Sequence, residues 1–265
     1  MAATGTDPEV VVSRPCPGLA GQVRGYCGYR EAGNVPVRRR EVPGGRVAVI
    51  VSFGEAIAVD GVAQRSFVAG MHDGPAITEH AGSQHGVQVD LAPLAARSLL
   101  GVPMHHLTNE VVPLSEVLDG SLSEQLAGIG DWGARFELLD KVISSRLADA
   151  APPDPAVRWA YQRIASTHGR VKVSELTEGT GWSRQHLASR FRDQVGLTPK
   201  GTARVLRFEH ALRLLGGRPL SEVAVACGYS DQAHLAREVR GLAGCTAREL
   251  ELTFVQDAVD GRALS

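Results

Sequence analysis

Two clusters of polar side chains in the C-terminal part of the chain include arginine and glutamine, whose chemistry suits base-pair edges. The first is Arg184, Gln185 and Ser189, and the second is Gln232, His234 and Arg237. Arginine pairs bidentately with guanine and glutamine with adenine, so Arg237, Gln185 and Gln232 carry the strongest direct readout. Ala188 and Ala233 sit among them and offer at most a methyl contact to thymine. Arg190, Arg192, Lys200, Arg204 and Arg240 surround these groups. Cations so placed suit phosphate contacts, which position a protein on a duplex without specifying sequence. A single arginine on a helix is by default a solvated side chain, so the weight rests on the pattern that holds them.

That pattern is a repeat. Ser174-Glu-Leu-Thr177 with Gly181-Trp-Ser183 recurs 47 residues later as Ser221-Glu-Val-Ala224 with Gly228-Tyr-Ser230. Beyond the turn the offset becomes 48, pairing His186-Leu187 with His234-Leu235, Phe191 with Val239, Gly196 with Gly244 and Thr198 with Thr246. A register held at so many positions marks a duplicated unit. Each copy reads as helix, tight turn, helix. Ser174 and Ser221 are expected to cap the first helices, and Ser183 and Ser230 the second. Gly181 and Gly228 supply the turns, where a positive φ would make a Cβ costly. Leu187 with Phe191, and Leu235 with Val239, form the buried i,i+4 sides, which turns Arg184, Gln185, Ala188 and Ser189, and in the second copy Gln232, Ala233, Ala236 and Arg237, outward. Trp182 and Tyr229 read as core, and His186 as a capping or packing group. Between the copies, Thr198-Pro199 starts a helix and Gly216 stops it, giving a rigid spacer of about four to five turns. Two second helices held on one side would reach successive major grooves, roughly 34 Å apart.

Charge supports the same division. The 265 residues carry 28 Lys/Arg and 29 Asp/Glu, a net of −1 that suggests no polyanionic partner. Residues 154–252, however, hold 15 basic and 10 acidic residues, a net of +5, while the remainder holds 13 and 19, a net of −6. A basic part is attached to an acidic one. The break falls at Ala150-Ala-Pro-Pro-Asp-Pro155, where three prolines cannot continue a helix.

The C-terminal 100 or so residues resemble the AraC/XylS family of bacterial transcription regulators. The matching text is Ser183-Arg-Gln-His-Leu-Ala-Ser-Arg-Phe-Arg-Asp-Gln-Val-Gly-Leu-Thr-Pro199, Arg207-Phe-Glu-His-Ala-Leu-Arg-Leu-Leu215 and Val223-Ala-Val-Ala-Cys-Gly-Tyr-Ser-Asp-Gln-Ala-His-Leu-Ala-Arg237. Two positions depart from the family pattern. Val239 replaces the usual Phe, and Ala247 replaces the Pro that usually follows the Thr. The resemblance implies base contacts at Gln185, Ala188, Ser189, Gln232, Ala233, His234 and Arg237, with Arg184 added on geometry alone. It further implies double-stranded promoter DNA and RNA polymerase as partners, an activating role, and a β-rich N-terminal domain that takes a small-molecule effector or forms a homodimer.

The N-terminal half carries no motif of comparable specificity. Short β-type runs such as Val47-Ala-Val-Ile-Val51, Ser66-Phe-Val-Ala69 and Val87-Gln-Val-Asp-Leu91 alternate with Gly/Pro turns. Helices are expected over Leu91–Leu100, Leu114–Ile129 and Asp131–Asp149. In the last, Phe136, Leu139, Val142, Ile143 and Leu147 form a core face with Arg146 as its one charged exception. The expected fold is α+β. An antiparallel β-sandwich or cupin-like barrel with helices is followed by an all-α domain of two helix-turn-helix units joined by a long helix. The expected parts are a loosely ordered lead-in (1–20), a β-rich sensor-like domain (21–112), a helical linker with candidate dimerisation helices (113–150), the DNA-binding domain (154–252) and a tail (253–265).

Other chemistry finds less support. His72, Asp73, Glu79, His80, His85, Asp90 and the His105-His106 pair invite a cupin-type metal site, but no HxH pair or glycine-flanked cupin pattern accompanies them. Histidines bonded locally in turns are the simpler reading. No nucleophile–base spacing, phosphate loop or carboxylate pair stands out, so neither catalysis nor a cofactor is expected. The four cysteines make no CxxC pair, and Cys227 reads as a small buried hydrophobe. Arg38-Arg-Arg40 is either a solvated edge-strand cluster or a contact for an anionic effector or DNA. The first residues lack a basic, then apolar, leader, and no apolar run approaches the ~18 residues of a membrane span, so a cytoplasmic location is expected. Two rival readings remain: a ligand-independent regulator whose N-terminal domain is a protein-interaction module, and a metalloenzyme domain fused to a DNA-binding module.

Overall fold

A computed structural model describes residues 9–118 and 121–251. The start of the expected lead-in (1–8) and the expected tail (253–265) lie outside the described residues. The chain divides into two units: Met1–Arg40, Arg46–Gly70 and Ala76–Pro152 form the first, and Glu41–Gly45, Met71–Pro75 and Pro153–Ser265 the second.

The first unit is built on ten strands: β1 (Glu9–Ser13), β2 (Val23–Glu31), β3 (Val37–Glu41), β4 (Val47–Ser52), β5 (Ile57–Val59), β6 (Val62–Gln64), β7 (Phe67–Ala69), β8 (Ala76–His80), β9 (Gln84–Leu91) and β10 (Val111–Pro113). They form a six-stranded sheet in the order β1-β2-β9-β4-β7-β10, antiparallel throughout, and a four-stranded sheet in the order β3-β8-β5-β6, in which β8-β5 and β5-β6 are antiparallel. The expected antiparallel β-rich domain is therefore present. Alternation decides which side chains meet. Ile50 and Phe67 on one face of the larger sheet join Ile57 and Val59 of the smaller one in a single apolar cluster. Part of the expected loose lead-in is ordered: Val10, Val11 and Val12 pair with Tyr29, Gly28 and Cys27 as an edge strand. Three consecutive β-branched residues favour extension even between proline-rich flanks. The Arg38–Arg40 run lies on edge strand β3, where Arg38 meets Glu79 at 2.9 Å and Arg39 meets Glu31 at 2.8 Å.

Three helices complete this unit: α1 (Pro93–Leu100), α2 (Ser121–Gly128) and α3 (Trp132–Asp149). The single helix expected over Leu114–Ile129 is a short 3-10 turn at Leu114–Glu116 and then, separately, α2. Asp131 caps α3 by accepting from the Ala134 amide at 2.8 Å. Tyr26 of β2 stacks on Phe136 with ring centres 5.6 Å apart, and its hydroxyl donates to Asp140 at 2.7 Å. Trp132 lies directly on β2 at Gly28, where a Cβ would stand only 2.4 Å from the ring.

The buried charge of α3 is Arg135, whereas Arg146 is exposed. Helical periodicity located the apolar side but not which end of it is covered. Arg135 is 2% exposed and lies between two rings, 4.6 Å from the centre of Phe53 and 4.4 Å from that of Trp132. Its Nε donates to the Leu126 carbonyl at 3.0 Å, and its Nη1 lies 3.4 Å from Nε2 of His85. Arg30 approaches the same His85 nitrogen at 3.5 Å. Two guanidinium donors therefore converge on one acceptor, which requires a neutral imidazole. Burial first, then Arg30 and Arg135, hold the His85 pKa below its usual value, with Glu9 of β1 opposing weakly.

A base with a lowered folded pKa stabilises the fold fully above its unfolded value, near pH 6.5, and loses that contribution as pH falls through the folded value. Thermal midpoints taken from about pH 7.5 down to about 4.5 should fall for the native chain, and His85→Gln should flatten the acid limb. An unchanged acid limb in His85→Gln would place the acid sensitivity elsewhere.

The second unit contains α4 (Pro155–Ser166), α5 (Val173–Thr180), α6 (Arg184–Val195), α7 (Pro199–Leu212), α8 (Leu220–Cys227) and α9 (Gln232–Ala243). It is the expected all-α arrangement, in which α5–α6 and α8–α9 are the two helix-turn-helix units and α7 joins them. Among the described residues no helix is long and apolar enough to cross a membrane.

Candidate nucleic-acid interface

Local sequence sets each reading helix. Gly181 ends α5 at φ +69° and Gly228 ends α8 at φ +76°, both in the left-handed region that favours glycine. Ser183 caps α6, its hydroxyl accepting from the His186 amide at 3.2 Å. The expected cap at Ser230 is instead Asp231, whose carboxylate accepts from the His234 amide at 2.7 Å while the Ser230 hydroxyl donates to it at 3.1 Å. These hydrogen bonds hold the Asp231 carboxyl below the usual carboxylate range, and a negative charge suits a helix N-terminus. The first helices also start earlier than expected. α5 begins after Lys172, whose amide donates to the Glu175 carboxylate at 3.2 Å, and α8 begins after Pro219. Ser174 and Ser221 thus lie within first turns instead of capping them.

The buried sides are as the periodicity requires. Leu187 and Phe191 on α6, and Leu235 and Val239 on α9, are fully enclosed. Val239, in place of the family's usual Phe, is completely buried, as is most of Ala247. Arg184, Gln185 and Ser189 are exposed on α6, with Ala188 half-buried beside them. Gln232, Ala233, Ala236 and Arg237 are exposed on α9, where Arg237 Nε also bonds back to the Ala233 carbonyl at 3.3 Å. His234 is half-buried: its Nδ1 lies 3.2 Å from the Ser230 hydroxyl and its ring stands edge-on to Tyr229 at 5.2 Å. His186 stands on Trp182 in the same way at 4.5 Å. In both copies the aromatic residue after the turn glycine is therefore a seat for a histidine.

The candidate phosphate contacts separate into two groups. Arg192, Lys200 and Arg240 are exposed, and Arg190 is exposed with a long 3.5 Å approach to Asp154. Arg204 is held inside the unit by Glu238, with Nε 3.1 and 3.0 Å from the two carboxylate oxygens. Sequence reasoning missed this pair because it joins helices 34 positions apart. It also missed Arg207, which lies 5.4 Å over the Tyr229 ring, and Gln194, whose buried amide oxygen accepts from the Asp154 amide at 2.9 Å. Among the described residues no three His, Cys, Asp or Glu side chains lie together as a metal site would require, and none of the cysteines is paired. His80, one of the histidines considered above, accepts from the Gly82 amide through Nδ1 at 3.2 Å.

Known proteins match the chain in two blocks. The family described as a helix-turn-helix domain matches residues 176–251, and the domain of unknown function DUF6597 matches residues 12–113. A probable AraC family transcriptional regulator from Rhodopseudomonas palustris, of known structure, is 30% identical over 97% of its own chain and 38% of this one, with a TM-score of 0.34. The chain belongs to the AraC/XylS family. Two further transcriptional regulators match parts of it. The HTH-type transcriptional regulator YbfI of Bacillus subtilis is 34% identical over 92 residues, covering 34% of this chain. The HTH-type transcriptional regulator GlxA of Rhizobium meliloti is 27% identical over 203 residues, covering 70% of it. The chain spans 33% of the length of YbfI and 62% of that of GlxA.

In this AraC/XylS chain the second helix of the first unit, α6, depends on a cap and on a buried aromatic. Ser183→Ala should destabilise the C-terminal unit by about 1 kcal/mol and Phe191→Ala by about 3–5 kcal/mol. Urea unfolding followed by amide exchange in α5 and α6 measures both, and equal effects would contradict the packing described.

Proposed function

We propose that the protein is a sequence-specific DNA-binding transcription regulator that lays α6 and α9 in successive stretches of the major groove of promoter DNA. The observation that carries this reading is the pair of helix-turn-helix units, each burying one side of its second helix and exposing a polar side. They stand on a segment of net charge +5, as phosphate attraction favours. The names of the relatives agree, since YbfI and GlxA are transcriptional regulators. Arg184, Gln185, Ser189, Gln232, His234 and Arg237 are the base-reading groups on this proposal. Arg190, Arg192, Lys200 and Arg240 contact phosphate.

The protein acts in the cytoplasm as an activator working with RNA polymerase, and no catalytic step is assigned to it. Residues 21–112 sense and 154–252 bind, with 113–150 between them. The first unit takes a small-molecule effector. The polar exposed side of α3, with Glu137, Lys141 and Arg146, favours this over a stable apolar dimer seam, because dimer interfaces are richer in apolar side chains.

Enrichment of bound duplexes from a randomised pool, with the full chain, tests the reading. Arg237→Ala should weaken binding to the enriched sequence by about 1–3 kcal/mol and relax one base position, whereas Lys200→Ala should weaken all sequences alike and lower the salt slope by about one. If Arg237→Ala keeps both affinity and base preference, α9 does not read bases through that side.

A further inference from the structure

We infer that Arg204 and Glu238 form a positioning pair that fixes the second reading helix on the spacer helix, so that together they set which half-site spacing the protein accepts. The inference rests on the DNA-binding reading above. Arg204 stands on α7 and Glu238 on α9, and Nε of the arginine bonds both carboxylate oxygens at 3.0 and 3.1 Å. The side chains are 33% and 20% exposed. The pair is thus partly withdrawn from water, where screening by salt is weaker than at the open surface.

A second observation shows how closely α9 approaches this arginine. Gly241 stands in the last turn of α9. A Cβ there would stand 2.8 Å from Nη2 of Arg204. The glycine therefore leaves the space in which the guanidinium lies. One turn along α7, Arg207 covers the ring of Tyr229, in the turn before α9. The two arginines are three residues apart on one side of α7 and grip α9 at its middle and at its start.

α7 also packs against α6. A helix clamped to α7 is consequently held in a fixed relation to the first reading helix. Releasing the clamp frees α9 to rotate or slide while its own base-reading side chains stay intact. Arg204 engaged in this way acts through α9 and not through a phosphate, and the two roles differ in what they make measurable.

The test uses the full chain and duplexes enriched from a randomised pool by the native protein. Derivatives of the enriched duplex carry one base pair more or one fewer between the half-sites. The native chain should lose at least ten-fold in affinity on both derivatives. Arg204→Met and Glu238→Gln should each reduce that discrimination to about three-fold or less, with the base preferences and the salt slope unchanged. Gly241→Ala, which keeps both charges and asks only the tip of the guanidinium to shift, should reduce discrimination less than either. The exchange Arg204→Glu with Glu238→Arg should restore discrimination at least in part. Native-like spacing discrimination in Arg204→Met, together with a salt slope lower by about one, would show a phosphate contact and overturn the inference. Lost thermal stability with unaltered spacing discrimination would reduce the pair to an ordinary structural bond and overturn it as well. A native chain that enriches no sequence at all would sink the DNA-binding reading itself, and the inference with it.

Discussion

The C-terminal unit depends on the enclosed side of one helix. Val205, Phe208 and Ala211 of α7 are fully buried, and α4, α6, α8 and α9 all lean on that helix. A reading helix projects its polar side outward only if its apolar side has something rigid to rest on. α7 supplies that surface to both copies of the repeat, and Thr198 and Pro199 fix where it begins, with the Thr198 hydroxyl accepting from the Gly201 amide at 3.1 Å. A change in this seam would move both reading helices together.

The first unit shows a different solution to covering a sheet. Tyr26 and Gly28 of β2 lie on one face that α3 covers with Phe136 and Trp132. The corner of that layer is filled by Arg135 and not by an aliphatic side chain. Stacking on two rings and bonding to a carbonyl offset its burial, but its Nη1 meets a histidine that Arg30 already approaches. The layer therefore sets two guanidinium groups against one imidazole nitrogen, and a neutral His85 accepts from them.

Much of this was legible in the sequence, and the reasons for the exceptions are physical. The repeat was readable because two turn glycines and two apolar i,i+4 pairs tolerate little variation, and α6, α7 and α9 begin within a residue of where their caps place them. The cap of α9 was not, because Ser230 and Asp231 are both good caps and only the hydrogen bond to the His234 amide decides between them. Arg135 and Arg146 both fall near the apolar side of α3, and its periodicity does not say how far along the helix the sheet extends. The Arg204–Glu238 bond lies beyond any local pattern, since an isolated arginine reads as solvated whether it meets phosphate or carboxylate. In the first half, β1 was obscured by its proline flanks, and the two-part form of Leu114–Gly128, though signalled by the turn-type residues Asp119-Gly120-Ser121, by the helical spacing of the leucines around them.

The displaced cap has an effect on symmetry. From turn glycine to cap the first copy spends Gly181, Trp182 and Ser183, and the second spends Gly228, Tyr229, Ser230 and Asp231. The extra residue is taken up in the loop, so Leu235 and Val239 stand four and eight places after their cap, as Leu187 and Phe191 do after theirs. The two copies thus share one frame while displaying different side chains at matching places, Arg184 and Ser189 in the first against Gln232 and Arg237 in the second. On the DNA-binding reading a single chain then has a head and a tail. It can lie on a duplex in one orientation only, so the direction in which a neighbouring gene is approached is written into one protomer.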